Sequence, residues 1–334
     1  MSHSKARLKP VAAPDLIDSI IPGVALITVD AKEGGGLGSG FAVQVSAAQV
    51  RKASGYVVIT NAHVVNADKP KILVRFAGGF DQPGELLLTD TMADVAFLRV
   101  EAKPGAQLPL RNMETVRLGE TVFAVGNPYG FECSVSQGIV SGIERSMPLR
   151  DQRDHLWAQS RIHGNMVQTD AKILQGNSGG PIIDDVGRVV GMATLGYAPE
   201  NAYKHATAIN LAVASSTIAK HLKEFFEFGD PFIKRSTIGA RVGLHEFTPE
   251  EQATWKRRAG AGIVKITNPK GPAAKAGLKS GDVITEFRGE EVDHFHDLQI
   301  SLDRWSIGSE CQVTYVRDGK SFSTTLIPVS ERKR

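Results

Sequence analysis

The chain has 334 residues, 42% of them apolar and 22% charged, which is enough for two domains, each with its own hydrophobic core. Its 39 basic and 36 acidic residues leave a net charge of +3. That is too small for a nucleic-acid footprint, and the basic run Lys256-Arg257-Arg258 reads as a solvated helix face.

Residues 1–22 are polar and carry prolines, and are expected to form an N-terminal arm, either mobile or packed. Pro14, Asp15 and Asp18 interrupt any apolar run of secretory length, and no later stretch is long enough to span a bilayer. The expectation is therefore a cytoplasmic chain without a membrane span, or a periplasmic one if an export signal has been removed. From about Val24 to Leu211, short β-branched runs alternate with turn residues: "VALITV", "GFAVQV", "YVVIT", "KILVRF", "VAFLRV", "TVFAVG", "GIVSGI" and "RVVGMATL". Such density without helical periods predicts an all-β barrel or sandwich. Ser215 or Ser216 then caps a helix in which Ile218, Leu222, Phe225 and Phe226 share a face, and Gly229 stops it.

The boundaries follow as a first domain over 23–229, a linker over 230–235 and a second, α+β domain over 236–330. In the second domain Thr248-Pro249-Glu250-Glu251 forms a capping box. "GIVKIT" and "DVITEF" are strands, a helix lies near Phe295–Arg304, and Asp318-Gly319 turns a hairpin of type I′. His294 and His296 lie two apart on a helix and share no face. Cys133 and Cys311 lack any partner spacing for zinc or redox chemistry. No metal and no cofactor is expected.

The chemistry is concentrated at "QGNSGGP", residues 175–181, a tight turn that presents Ser178 among bare backbone N–H groups. A serine hydroxyl needs a base to become a nucleophile. His63 in "VVITNAHVV", at the end of an apolar strand, supplies one. Asp94 in "TMADVAFLRV" supplies a shielded acid to orient the imidazole. The order His, Asp, Ser is that of chymotrypsin-type enzymes. The roles then follow: Ser178 attacks a carbonyl carbon, His63 transfers the proton, and Asp94 stabilises the imidazolium. Backbone N–H groups of the run Gly176-Asn177-Ser178, with Gly176 and Ser178 foremost, form the oxyanion hole.

Those segments, together with "GLGSGFAV", "LGETVFAVGNPYG", "SQGIVSGIER" and "KGPAAKAGLKSGDVITEFRGEEV", resemble the HtrA (Deg) family of trypsin-like serine proteases. The resemblance covers about residues 24–329. It implies a chymotrypsin-like double β-barrel with the active site between the barrels, followed by a smaller PDZ domain. It also implies an endopeptidase acting on unfolded or damaged proteins, whose PDZ domain captures C-termini or exposed apolar segments. The carboxylate-binding loop would be Thr237-Ile238-Gly239-Ala240. The specificity pocket would be lined by Ile173, Leu174, Ala193, Thr194 and Leu195, none acidic, which suits small or medium aliphatic side chains.

The family's trimer is built on N-terminal aromatics. Residues 1–30 contain none, and Leu16, Ile17, Ile20 and Ile21 are the expected substitutes in a homotrimer or larger homo-oligomer. Leu174-Gln175 also departs from the Asn-Pro that usually precedes "GNSGG". The charged stretch from about Ser146 to Asn165 matches the family's regulatory loop, with Leu156 and Trp157 as its docking side chains. Two alternatives remain open at this level: a non-proteolytic peptide-binding scaffold or holdase, and an esterase of small acyl substrates.

Overall fold

The computed structural model describes residues 10–31, 35–149, 161–197, 209–228, 235–304 and 307–331. The chain divides into two compact units. The first takes in residues up to Ser146 and again Asn165–Ile233, and the second contains Lys234–Arg334.

The first unit opens with helix α1 (Ala13–Ile20), whose Leu16 and Ile20 are buried. The arm is thus a packed segment over this stretch. It follows that Leu16 and Ile20 belong to the protein's own core, a correction to their expected role as oligomer contacts. Seven strands come next: β1 (Val24–Asp30), β2 (Gly36–Ala42), β3 (Tyr56–Thr60), β4 (Lys71–Phe76), β5 (Gln82–Pro83), β6 (Glu85–Asp90) and β7 (Val95–Val100). They form one antiparallel sheet in the order β5-β4-β1-β2-β3-β7-β6. Helix α2 (Ala47–Ala53), with a Ser46–Gln49 capping box, and the short α3 (Ala62–Val65) flank β3.

Six further strands follow: β8 (Thr121–Gly126), β9 (Ser134–Leu149), β10 (Arg161–Thr169), β11 (Pro181–Asp184), β12 (Val189–Tyr197) and β13 (Ile209–Ala214). These close into a barrel in the order β10-β13-β12-β11-β8-β9. Much of the supposed 146–165 loop is therefore strand at its two ends. Leu156 and Trp157 lie outside the described residues. Helix α4 (Ser215–Phe228) ends the unit, with the Ser215 hydroxyl donating to the Arg111 carbonyl.

Strand periodicity explains why these runs are apolar on both faces. On β3, Val58 faces a core inside the first sheet with Ile27, Val74 and Leu98, while Val57 and Ile59 face the opposite way. On β8, Val122 and Ala124 fill the interior of the second barrel with Val140, Ile182 and Ala212. Phe123 and Val125 instead join Phe41, Phe97, Met192 and Ile218 in a third core, the seam between the two sheets. That seam fixes the two sheets against each other.

The second unit starts with β14 (Arg235–Thr237) and β15 (Ala240–Glu246), then α5 (Pro249–Trp255), β16 (Ala259–Ile266), α6 (Pro272–Lys275), β17 (Val283–Phe287), β18 (Glu290–Glu291), α7 (Phe295–Arg304), β19 (Cys311–Arg317), β20 (Lys320–Leu326) and β21 (Val329–Glu331). The main sheet runs β15-β16-β17-β19-β20, β18 pairs with β17, and β14 pairs with β21. Its core gathers Ile263, Ile284, Phe287, Leu298 and Val313. Thr248 and Glu251 make the expected capping box. Asp318 (φ 48°) and Gly319 (φ 68°) both turn left-handed, as a type I′ hairpin requires.

Candidate active site

Each of the three predicted residues leaves a different connection. His63 lies on α3, just after β3. Asp94 ends the four-residue turn between β6 and β7. Ser178 sits in the loop between β10 and β11. The first sheet thus contributes His63 and Asp94, and the second barrel contributes Ser178.

Asp94 is only 3% exposed and sits at φ 54°, a backbone region that turns its carboxylate back toward α3. Asp94 Oδ1 accepts the His63 backbone N–H at 3.0 Å, and both carboxylate oxygens lie 2.9 Å from His63 Nδ1. Asn61 Nδ2 donates to the Asp94 carbonyl at 3.0 Å. The Thr194 hydroxyl donates to Asp94 Oδ2. Burial alone would push the Asp94 carboxyl up. The His63 hydrogen bond and charge, the Thr194 hydroxyl and the His63 backbone N–H outweigh it and hold the carboxyl below its ordinary value. Since a carboxylate only accepts, Nδ1 carries the proton, and the other ring nitrogen of neutral His63 is free to act as a base.

Thr194 is where the structure departs most from the sequence reading. Ala193 pairs with Ala212 and Leu195 with Leu211, so Thr194 is the extra residue of a β-bulge on β12. The bulge aims its side chain at Asp94 instead of into a specificity pocket, a correction to that assignment. Its carbonyl accepts the Ser178 hydroxyl at 3.3 Å. Thr194 therefore touches two of the three, Asp94 through its side chain and Ser178 through its backbone carbonyl.

The Ser178 loop is held by groups the sequence reading missed. Ser39 N–H donates to the Ser178 carbonyl at 2.8 Å, and Ser39 Oγ donates to the Gly176 carbonyl at 2.7 Å. Asn127 N–H reaches Ser39 Oγ at 2.8 Å, and the Thr60 hydroxyl donates to the Ser39 carbonyl at 2.7 Å. The backbones approach so closely that a Cβ on Gly179 would stand 2.0 Å from the Ser39 carbonyl oxygen. Gly176, at φ 99°, takes a conformation that other residues rarely adopt. Within the expected oxyanion hole, the Asn177 N–H is already donated to the Leu174 carbonyl at 2.9 Å. That removes Asn177 from the donor set and leaves Gly176 and Ser178 as candidates. Of the remaining pocket residues, Ala193 is buried, Ile173 packs against the core of the second barrel, and Leu174 is exposed. The Leu195 side chain lies outside the described residues.

In the second unit Thr237 closes β14, Ile238 is buried, and Gly239 turns at φ 72° into Ala240 at the start of β15. The Ile238 carbonyl accepts from Ala273 N–H, and the Gly239 carbonyl from Thr267 and Asn268 N–H. Gly239 N–H donates to Thr237 Oγ1 at 3.1 Å. Strand β15 is an edge of its sheet.

Fold and constellation together define a trypsin-like peptidase architecture followed by a PDZ fold. Comparison with known proteins agrees: residues 38–192 match the trypsin-like peptidase domain family, and residues 237–327 match the PDZ domain family. A probable periplasmic serine protease do/HhoA-like of Haemophilus influenzae is 30% identical over 87% of this chain and 58% of its own length. A probable periplasmic serine endoprotease DegP-like of Pseudomonas fluorescens is 32% identical over 88% of this chain and 56% of its own. The chain thus spans a little over half the length of these curated relatives. Among solved structures, the HtrA-type protease AlgW with a tripeptide superposes with a TM-score of 0.72 at 24% identity, covering 97% of this chain and 99% of that one. The serine endoprotease from Yersinia pestis gives 0.66 at 23%, covering 97% and 100%. The chain thus joins a trypsin-like peptidase domain to a PDZ domain, and is similar in both to proteins named as HtrA-type and DegP-like serine proteases. The relatives are named as periplasmic, which overturns the cytoplasmic expectation.

Proposed function

We propose that the protein is a serine endopeptidase of the periplasm that cleaves unfolded or damaged polypeptides through an acyl-enzyme. The observation that carries this reading is the linkage of His63, buried Asp94 and Ser178 through the bulged Thr194. A rotation of the Ser178 side chain would move its hydroxyl from the Thr194 carbonyl to the free ring nitrogen of His63. The oxygen then attacks the scissile carbonyl while His63 takes the proton. His63 returns it to the leaving amine, and a water repeats the sequence to release the acid. Asp94 keeps the ring in the tautomer this needs. The N–H groups of Gly176 and Ser178 meet the tetrahedral oxyanion, each worth roughly 3–4 kcal/mol to the transition state.

The second unit, over about 236–330 after a linker at 230–235, supplies substrate capture. Its edge strand β15 offers a ladder to an incoming chain, and the loop Thr237–Ala240 receives the terminal carboxylate, displacing the Thr237 hydroxyl from Gly239 N–H. The segment between β9 and β10 is the proposed regulatory element. A homotrimer is the proposed assembly. With Leu16 and Ile20 buried, the exposed Tyr129 and Phe131 beside the Ser178 loop are the better candidates for its contacts.

The test is degradation of reduced casein by the wild type and by Ser178→Ala, with and without a peptide bearing an apolar C-terminus. Cleavage by the wild type alone supports the protease, and acceleration by peptide supports PDZ control. Binding of casein without cleavage, in both forms and with peptide present, would favour the holdase. Hydrolysis of small esters but not of casein would favour the esterase.

A further inference from the structure

A second histidine–aspartate pair lies behind the first and takes no part in the chemistry described so far. His221 on α4 is 4% exposed and Asp90 at the end of β6 is 8% exposed, and His221 Nε2 lies 3.0 Å from Asp90 Oδ2. His221 Nδ1 faces the Thr217 carbonyl at 2.7 Å. A carbonyl only accepts, so Nδ1 carries a proton and donates it. Nε2 shares a hydrogen bond with the Asp90 carboxyl.

The other carboxyl oxygen of Asp90 does local work. Oδ1 accepts the N–H groups of Met92 at 2.9 Å and Ala93 at 3.2 Å. Asp90 pairs with Val95 across the hairpin, so the turn between them is the one that ends on Asp94 in its left-handed conformation. This turn is therefore held at its start by the Asp90 carboxyl and at its end by Asn61 on the Asp94 carbonyl. An asparagine at position 90 could supply the same local acceptor, so the turn alone does not require a carboxylate. What the second oxygen of Asp90 adds is the tie to His221, and through it to α4. That helix packs beside β7 by an edge-on contact of Phe225 with Phe97, ring centroids 6.0 Å apart. Burying two polar side chains is costly unless both are partnered, as they are here.

We infer that His221 and Asp90 are positioning residues: they fix the turn that presents Asp94 and so the aim of its carboxylate at His63 Nδ1. The inference rests on the serine-peptidase reading of that constellation, and it extends the site from the two facing sheets to the helix packed against them. It accounts for why α4 carries a buried imidazole pointed at the base of the Asp94 turn.

The experiment uses the full chain with Asp90→Asn, His221→Gln and the double variant. Turnover of a peptide substrate is measured beside the low-field proton NMR line of the His63–Asp94 hydrogen bond, assigned by its loss in His63→Ala. The expected result is a fall in kcat of about tenfold or more in each single variant, KM within about twofold, and a shifted or broadened low-field line. The double variant should be little worse than either single one, as for residues that act as a unit. Wild-type kcat and an unmoved line in both single variants would overturn the inference, whatever their melting temperatures. Should Asp90→Asn fail to fold, His221→Gln decides, because it leaves the turn's own acceptor in place. The NMR line needs no substrate. If the wild type shows no Ser178-dependent turnover, the peptidase reading falls, yet the line still decides whether the pair positions Asp94.

Discussion

Asp94 shows how one carboxylate is kept charged out of water. Burial alone would raise its proton affinity, but the His63 imidazole and its charge, the Thr194 hydroxyl and the His63 backbone N–H together more than offset that burial. Because its folded proton affinity is lower than its unfolded one, the carboxylate stabilises the fold above the ordinary carboxyl range, near about pH 3.9. That contribution is lost as pH falls through the depressed folded value. The urea midpoint of the wild type should therefore exceed that of Asp94→Asn most clearly at neutral pH, with the gap closing below about pH 4. In peptide turnover Asp94→Asn should lose about four orders of magnitude in kcat, since the amide favours the wrong tautomer of His63. Thr194→Val keeps the volume and the carbonyl but removes the hydroxyl. It should lower kcat by about tenfold to a hundredfold, in line with the ~1.5–3 kcal/mol of a hydrogen bond to a charged group. The predicted nucleophile, base and acid were legible because their chemistry restricts them to a few residue types in a fixed order. Thr194 was not legible, since a bulge leaves no mark on the string "RVVGMATL" and an alternating strand would point it elsewhere. Ser39 was hidden for another reason: its partners are scattered along the chain, with Thr60 21, Asn127 88 and Gly176 137 positions away.

At the scale of elements, what the sequence revealed depended on whether the signal was local. The Asp318-Gly319 hairpin and the Thr248 capping box are set by neighbours a few residues apart, and both form as expected. Helix α1 was harder to see, because eight residues with a proline near the start carry little helical signal. It is stabilised by burying Leu16 and Ile20 against distant strands. The reach of β9 as far as Leu149 was equally obscured, since Pro148 and the charged residues that follow read as loop. Gly179 tests the close packing of the Ser178 loop on β2. In Gly179→Ala the new methyl meets the Ser39 carbonyl in a left-handed backbone conformation. The expected cost is about 2–4 kcal/mol of stability together with loss of turnover, read by thermal melting and by casein cleavage.

At the scale of the whole molecule, the edge strand of the second unit and the seam of the first lead to separate expectations. A peptide with an apolar C-terminus should bind the full Ser178→Ala chain, and amidating its carboxyl should weaken binding by about tenfold or more in calorimetry, if the loop at Gly239 receives the terminal charge as proposed. The seam carries a different consequence. Phe41, Phe97, Phe123 and Met192 belong at once to the packing of both sheets, so neither sheet has a finished hydrophobic surface without the other. The first unit should then melt cooperatively, with enzymatic inactivation and loss of β-sheet signal tracking each other through a single transition. Parting the two sheets would expose that shared core to water, so a half-open resting form of the first unit would be costly. A dormant form made within the loops would leave that core undisturbed, and could be as small a change as the swing of one serine hydroxyl.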